Sequence, residues 1–204
     1  MRKTCGTWLM ILGILLVLAA GAITGYQFWT QHKAGENAQL ALEALEIPAP
    51  TEQPDDSKAE QVPHYVLNPD MGMPEKVVDG IAYVGMLEIP ALELQLPIIS
   101  TTTKDYLQTA PCRFSGSAYL NNLVIGAHNY GKHFGRIGTL SYGDLVELTD
   151  MDGNRFTYQV ADVEILQPDQ AELLSSGEWP LSLYTCTLGG RTRLTVRCEA
   201  CFIF

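Results

Sequence analysis

The sequence predicts an all-β domain, a closed or nearly closed barrel of seven or eight short strands, carried behind an apolar N-terminal helix. Three observations lead there. From about Val77 onward, short β-rich runs follow one another with turn residues between them, and helical stretches are few. Residues 32–75 turn to Ala, Glu, Gln, Pro and Asp, the composition of a stalk and not of a core. From Trp8 to about Trp29 the chain is nearly all apolar, close to the ~20 residues a helix needs to cross a bilayer core.

Taken in order, Arg2 and Lys3 flank the apolar run on its short side and favour an N-terminus inside the cell. Trp8 at one end and Tyr26 and Trp29 at the other suit the two membrane interfaces. Ala20-Gly21-Ala22 resembles the cleavage site of a signal peptide. A retained anchor is preferred, because apolar and aromatic residues continue to Trp29; either way the domain is exported. Pro48, Pro50, Pro54 and Pro63 punctuate an acidic spacer in which only Ala38–Glu46 reads as a short helix. The expected division is therefore a short cytoplasmic N-terminus (1–7), a transmembrane signal anchor (8–29), a flexible acidic extracytoplasmic linker (30–75) and the β-barrel (76–204).

Within the barrel, Ile81–Ile89 is β-rich and stops at Pro90, and Leu92–Ile98 alternates with period two. Asn122–Ala127 is a short buried run. Asp144–Leu148 and Phe156–Val160 form a hairpin around Asp152-Gly153. Leu181–Cys186 and Arg193–Val196 complete the set. Tyr106–Thr109 and Gln170–Ser175 read as helical turns.

The chain has 204 residues, 13 Lys and Arg against 23 Asp and Glu, and a net charge of −10. That excludes a broad nucleic-acid surface. Arg191, Arg193 and Arg197 form a local basic exception. Five cysteines leave at least one unpaired within the chain. Strand parity helps to choose among them. Leu181 and Leu183 share a face with Thr185, which leaves Ser182, Tyr184 and Cys186 on the other. Leu194, Val196 and Cys198 share the apolar face of the last strand, and Arg193, Thr195 and Arg197 the other. Leu123, Ile125 and Ala127 likewise leave His128 off the core side.

A thiol, an imidazole and a fixed cation suffice for acyl transfer from an amide. Arg193 stays protonated, so its part is electrostatic or positional. His128 can protonate a leaving amine and later deprotonate an incoming one. His133, in Gly131-Lys132-His133-Phe134-Gly135, is the competing imidazole and reads as an exposed loop residue, so His128 is preferred. Cys198-Glu199-Ala200-Cys201 has CxxC spacing but no second pair of ligands for zinc. It reads as a core thiol and a terminal one, with a disulfide left open. Cys112 reads as a buried loop thiol. No cofactor or metal is expected. Asp105, Asp144, Glu147, Asp150 and Asp152 are the carboxylates a calcium site would draw on, but they follow no motif and read as solvated surface charges.

Ser182-Leu183-Tyr184-Thr185-Cys186 resembles the TLxTC signature of the sortases, with Ser for the first Thr. Asn122–Asn129 resembles the segment that carries that family's histidine, and Arg193–Arg197 its last strand, whose first Arg is catalytic. The resemblance covers roughly residues 80–198. It implies an eight-stranded sortase barrel with one or two short helices, outside the membrane, acting as a cysteine transpeptidase on an LPxTG-like sorting signal. Cys186 would form the thioacyl intermediate, His128 would act as general acid and base, and Arg193 would hold the oxyanion or the substrate. Thr185 would support the site beside the thiol and contribute to substrate binding. The implied partners are surface proteins with C-terminal sorting signals, an amine acceptor such as a peptidoglycan precursor, and the cell membrane. The short connection from Val163 to Pro180 disfavours class B. The end of the chain at Phe204 and the lack of a lid motif disfavour pilus polymerisation. Two other readings stay open: a thiol peptidase that uses water as acceptor, and a non-catalytic, membrane-tethered binding domain.

Overall fold

A computed structural model describes residues 3–45, 62–176, 178–187 and 189–201. Nine strands make one sheet: β1 (Lys76–Val78), β2 (Ile81–Ile89), β3 (Leu94–Ile99), β4 (Cys112–Ser115), β5 (Leu123–Ala127), β6 (Leu145–Asp150), β7 (Arg155–Leu166), β8 (Leu181–Cys186) and β9 (Arg193–Ala200). Their order is β1-β2-β3-β4-β5-β8-β9-β7-β6, and β6 pairs back onto β2. Eight strands therefore close a barrel, as expected, and β1 extends it as a hairpin on the start of β2. Closure depends on a close backbone approach. A Cβ on Gly85 would stand 2.5 Å from the Thr149 carbonyl oxygen, so only glycine allows the β2–β6 pairing there.

The barrel interior is filled by alternate residues of the strands. Leu87, Ile89, Ile125, Leu148, Leu181 and Leu183 are all fully buried. Phe134 and Ile137, from the connection after β5, plug the interior as well. At ~1.5–3 kcal/mol for each fully buried large side chain, this interior is the main stabilising term.

Two strands depart from the sequence pattern. β4 is only four residues long between Pro111 and Gly116, with a bulge between Arg113 and Ser115, too short and irregular to leave a period of two. β7 runs on to Leu166, past a bulge between Val160 and Asp162 that reverses its alternation. The two expected helical turns are present, as helix α3 (Tyr106–Thr109) and a 3-10 segment over Pro168–Ser175. Upstream of both, helix α2 (His64–Leu67) precedes the barrel.

The larger difference is at the N-terminus. Helix α1 runs from Lys3 to Leu45, so the first part of the expected flexible linker is helical. Its first half is long and apolar enough to cross a membrane, with Trp8, Leu16 and Phe28 all largely exposed. Its second half docks on the barrel through Ala34, Ala38, Ala41 and Leu45, which are 0–8% exposed. These positions, i, i+4, i+7 and i+11, are one helical stripe, and small residues let the helix lie close. Leu45 and Ala41 join Tyr83, Ile99, Ala110 and Cys112 in a second apolar cluster outside the barrel. That cluster covers the β3–β4 seam, a parallel join with a single register pair, Ile99 opposite Cys112. Residues 46–61 of the expected linker lie outside the described residues.

The docked helix also corrects the reading of His133. This residue is 0% exposed, not a loop tip. Neither ring nitrogen has a hydrogen-bond partner among the described residues. Burial pushes its pKa down to about 4, and the Ala34 backbone opposes that shift in part. Below the ordinary value of 6.5 the unfolded chain binds the proton more readily, so stability falls as pH drops from 6.5 towards 4. The loss expected from this residue is about 3 kcal/mol. Thermal unfolding of the full chain in detergent should show it between pH 7 and pH 4.5, and His133→Phe should remove most of the difference. An unchanged pH dependence in that variant would show that the imidazole is not buried.

Candidate active site

The site is assembled by strand register. β5 and β8 are parallel neighbours, with Ala127 opposite Thr185. His128 and Cys186 each follow by one residue, so the imidazole and the thiol emerge side by side at the same end of the barrel. β9 returns antiparallel to β8 with Arg193 directly opposite Cys186. Side chains opposite one another across such a pair have Cβ atoms ~4.5–5.5 Å apart. The three expected residues, far apart in sequence, thus stand on three adjacent strands with the thiol in the middle. All three are half-buried, and Cys186 is a free thiol.

The Thr185 side chain is 1% exposed and points to the core side. Its hydroxyl donates to the Ala127 carbonyl at 2.9 Å. That bond ties the strand bearing the thiol to the strand bearing His128, directly beneath both. The buried hydroxyl thus fastens β8 to β5.

The environment separates the basic residues. Arg193 donates through Nη1 to the carbonyls of Gly190 (3.0 Å) and Thr192 (3.2 Å) and pairs with no carboxylate among the described residues. Its charge is therefore held in place by its own loop and left uncompensated. Arg191 is exposed and lies before the strand. Arg197 does not belong to an open basic site. It is 3% exposed, and its Nε is 2.7 Å from Glu164. Its other nitrogens donate to Ser182 Oγ and the Leu173 carbonyl, both at 2.8 Å, which pins the Pro168–Ser175 segment onto β8 and β9. Ser182 is covered by this arrangement and not exposed as its parity implied.

Burial lowers the pKa of His128 below the ordinary histidine value, which favours the neutral ring at pH 7. Tyr130 stacks obliquely on it at 4.9 Å between centroids, and the buried His133 lies 5.6 Å beyond Tyr130. On the outer face, Tyr184 forms a wall beside Cys186 and meets Phe114 edge-on at 5.5 Å. Burial pushes the Tyr184 hydroxyl up to about 12, against a smaller opposing pull from Arg193. The Tyr184 ring lies over Gly126, where an added Cβ would come within 2.5 Å of it. An isolated glycine inside a strand, two residues before the histidine, is the sequence sign of that close approach.

Cys112, at the start of β4, and Cys198 are fully buried, and burial pushes both up to about 12, far from thiolate at neutral pH. Cys198 and Cys201 are both free thiols, so the open disulfide is not formed. Asp150 is no surface charge. It is 0% exposed and accepts from Tyr119 Oη at 2.7 Å, from the backbone of Asp152 and Asn154, and from the Asn154 amide. Asp144 accepts from the Ser141 backbone, and Glu147 lies 3.6 Å from Arg155. Among the described residues no three His, Cys, Asp or Glu side chains are placed to hold one metal ion.

Comparison with known proteins agrees with this geometry. The chain is 27% identical over 187 residues to Sortase A of Bacillus anthracis, covering 86% of this chain and 85% of that protein. The structure resembles Sortase C1 of GBS Pilus Island 1 with a TM-score of 0.50 and 23% identity over 59% of this chain. It spans 64% of that chain's length. It resembles a Sortase D5 transpeptidase of Clostridium perfringens with a TM-score of 0.53 and 20% identity, over 62% of this chain and 83% of that one. At these identities the two structural likenesses bear on the fold. The Sortase domain family matches residues 87–201, more than half of the chain and the whole of the segment that carries His128, Cys186 and Arg193. A match of that extent, on a barrel of this topology, settles membership: the chain belongs to the sortase family, the cysteine transpeptidases.

Proposed function

We propose that this sortase is anchored in a cell membrane by helix α1, with its barrel outside, and that it cleaves an LPxTG-like sorting signal and joins the released acyl group to an amine. The observation that carries the reading is the placement of Cys186 between His128 and Arg193 by the pairing of three adjacent strands. In this reading His128 takes the proton of the Cys186 thiol as its sulfur adds to the carbonyl of the signal's Thr. Arg193, pre-set by its two backbone bonds, faces the developing oxyanion or the substrate backbone. His128 gives a proton to the leaving amine, and a thioester remains on Cys186. An incoming amine then attacks, His128 takes its proton, and the amide product leaves with the thiol restored. The outer wall of Tyr184 and Phe114 offers apolar surface to a substrate lying along β8. The acceptor we favour is a cell-wall precursor, and the substrates are surface proteins with C-terminal sorting signals.

The direct test incubates the full chain with LPxTG-like peptides and an amine, and follows products by intact mass. A peptide adduct on Cys186 and an amine-dependent product are expected. Adducts that only hydrolyse would favour a peptidase, and no adduct on an unreactive thiol would favour a binding domain. Cys186→Ala should abolish the adduct. Arg193→Ala should slow turnover by ~10²–10³-fold, whereas Arg191→Ala should have little effect. Greater sensitivity at Arg191 would contradict the Cys186–Arg193 register.

Acidity gives a second test. The neutral ring of His128 is the form that accepts a proton from the incoming amine. Because burial lowers its pKa, acidification should leave amine transfer intact down to below pH 6.5, with loss only under that. A pH titration of the His128 ring by NMR should place its midpoint on the acid side of the ordinary value. A midpoint above 6.5 would overturn the assignment of burial as the dominant influence.

A further inference from the structure

Where α1 leaves its apolar stretch, it forms a crevice with the connection that follows His128. The crevice has a volume of about 420 Å³ and is lined by Phe28, His32, Gly131, Lys132 and Arg136. Three of these five described residues are basic or can become so, and none is acidic, in a chain whose net charge is −10. The basic groups come from two separate elements that only docking brings together. Gly35 makes that docking close: an added Cβ would lie 3.0 Å from the Lys132 side chain. The Arg136 guanidinium is oriented by a bond from Nη2 to the Leu92 carbonyl, which leaves its other donors available. Lys132 has no carboxylate within salt-bridge reach among the described residues. Glu36, one turn further along the helix, lies 3.5 Å from His32, so Lys132 and Arg136 are the crevice cations left without a carboxylate partner among the described residues.

The level of the crevice along the helix identifies its ligand. Phe28 is the last turn of the apolar stretch, beside the interfacial aromatics Tyr26 and Trp29, whose rings stand 6.4 Å apart. His32 follows one turn later, ~6 Å along the axis. In a membrane-spanning helix that step is the one from acyl chains to phosphates. We propose that this crevice binds the phosphate of an anionic lipid headgroup, with Lys132 and Arg136 as its principal ligands, His32 at its edge and Phe28 against the first methylenes. The proposal rests on the reading of α1 as a membrane span. Occupied in this way, the crevice holds the connection after His128, and with it the active-site end of the barrel, at the membrane surface.

The test uses the full chain in micelles that contain phosphatidylcholine and phosphatidylglycerol in equal amounts, examined by native mass spectrometry. One phosphatidylglycerol should be retained in preference to phosphatidylcholine. In the Lys132→Gln/Arg136→Gln double variant the preference should fall roughly thirty-fold, from the loss of two basic groups at an anionic surface. Lys132→Glu, which leaves the Arg136 bond to Leu92 in place, should lose it too and keeps the test valid if the double variant folds poorly. Equal retention of both lipids by the wild type, or unchanged preference in the Lys132→Glu variant, overturns the site. Displacement of the bound lipid by excess inorganic phosphate would assign the crevice to soluble phosphoesters and overturn the lipid headgroup. Flotation with liposomes at high salt separates the two readings. Protein that fails to float refutes the span, and the lipid site with it; protein that floats without lipid preference refutes the site alone.

Discussion

The parallel pairing of β5 with β8 is the constraint on which the site depends. Parallel strands cannot be joined by a short turn, so the two are brought together only after β6 and β7 have been placed elsewhere in the barrel. Their register fixes His128 against Cys186, and a slip of one residue would turn every side chain of β8 to the opposite face. Three features hold the register. Leu181 and Leu183 are sealed in the core, the Thr185 hydroxyl bonds to Ala127, and the Tyr184 ring fits over Gly126. Two of them lie at the end that carries His128 and Cys186, where a parallel pair is otherwise the weaker kind.

Burial then gives different work to chemically similar residues. Arg197 and Arg193 occupy the same face of β9, yet one is enclosed and ion-paired while the other is half-open and unpaired. The first is a fastening for the Pro168–Ser175 segment, and removing Glu164 would leave its buried guanidinium without a counter-charge. The second remains available to a reacting group. The histidines divide in the same way: His133 is sealed under α1, and His128 keeps an open side. Among the thiols, depth in the fold raises Cys112 and Cys198 out of the reactive range.

The barrel and its candidate site residues were legible because they follow from period-two patterning and from the order of a few residue types. Cys186, His128 and Arg193 each sit off the apolar face of a strand whose core side is evident. What was not legible came from surfaces that only the tertiary fold creates. Parity says that Ser182 faces outward, but not that Arg197 and the Pro168–Ser175 segment cover it. Loop composition gives His133 a polar setting, whereas the docked helix buries it. The Ala34, Ala38, Ala41, Leu45 stripe was present to be found, but alanines in an acidic stretch do not resemble a packing face. Asp150 hid in the same way, since an aspartate in a turn sequence looks solvated until its Tyr119 and Asn154 partners are folded around it.

The cover over the β3–β4 seam has a consequence for the lifetime of the protein. The join rests on one register pair and on the Ile99 amide bonded to the Pro111 carbonyl at 2.9 Å, and α1 lies over it through Ala41 and Leu45. A protease cut that freed the barrel from the helix would also strip this cover and expose the cluster of Tyr83, Ile99 and Cys112 to water. The shed domain would open more readily at the seam than the intact chain and be degraded sooner. Attachment to the N-terminal helix and persistence of the fold would then go together, because Ala41 and Leu45 serve both.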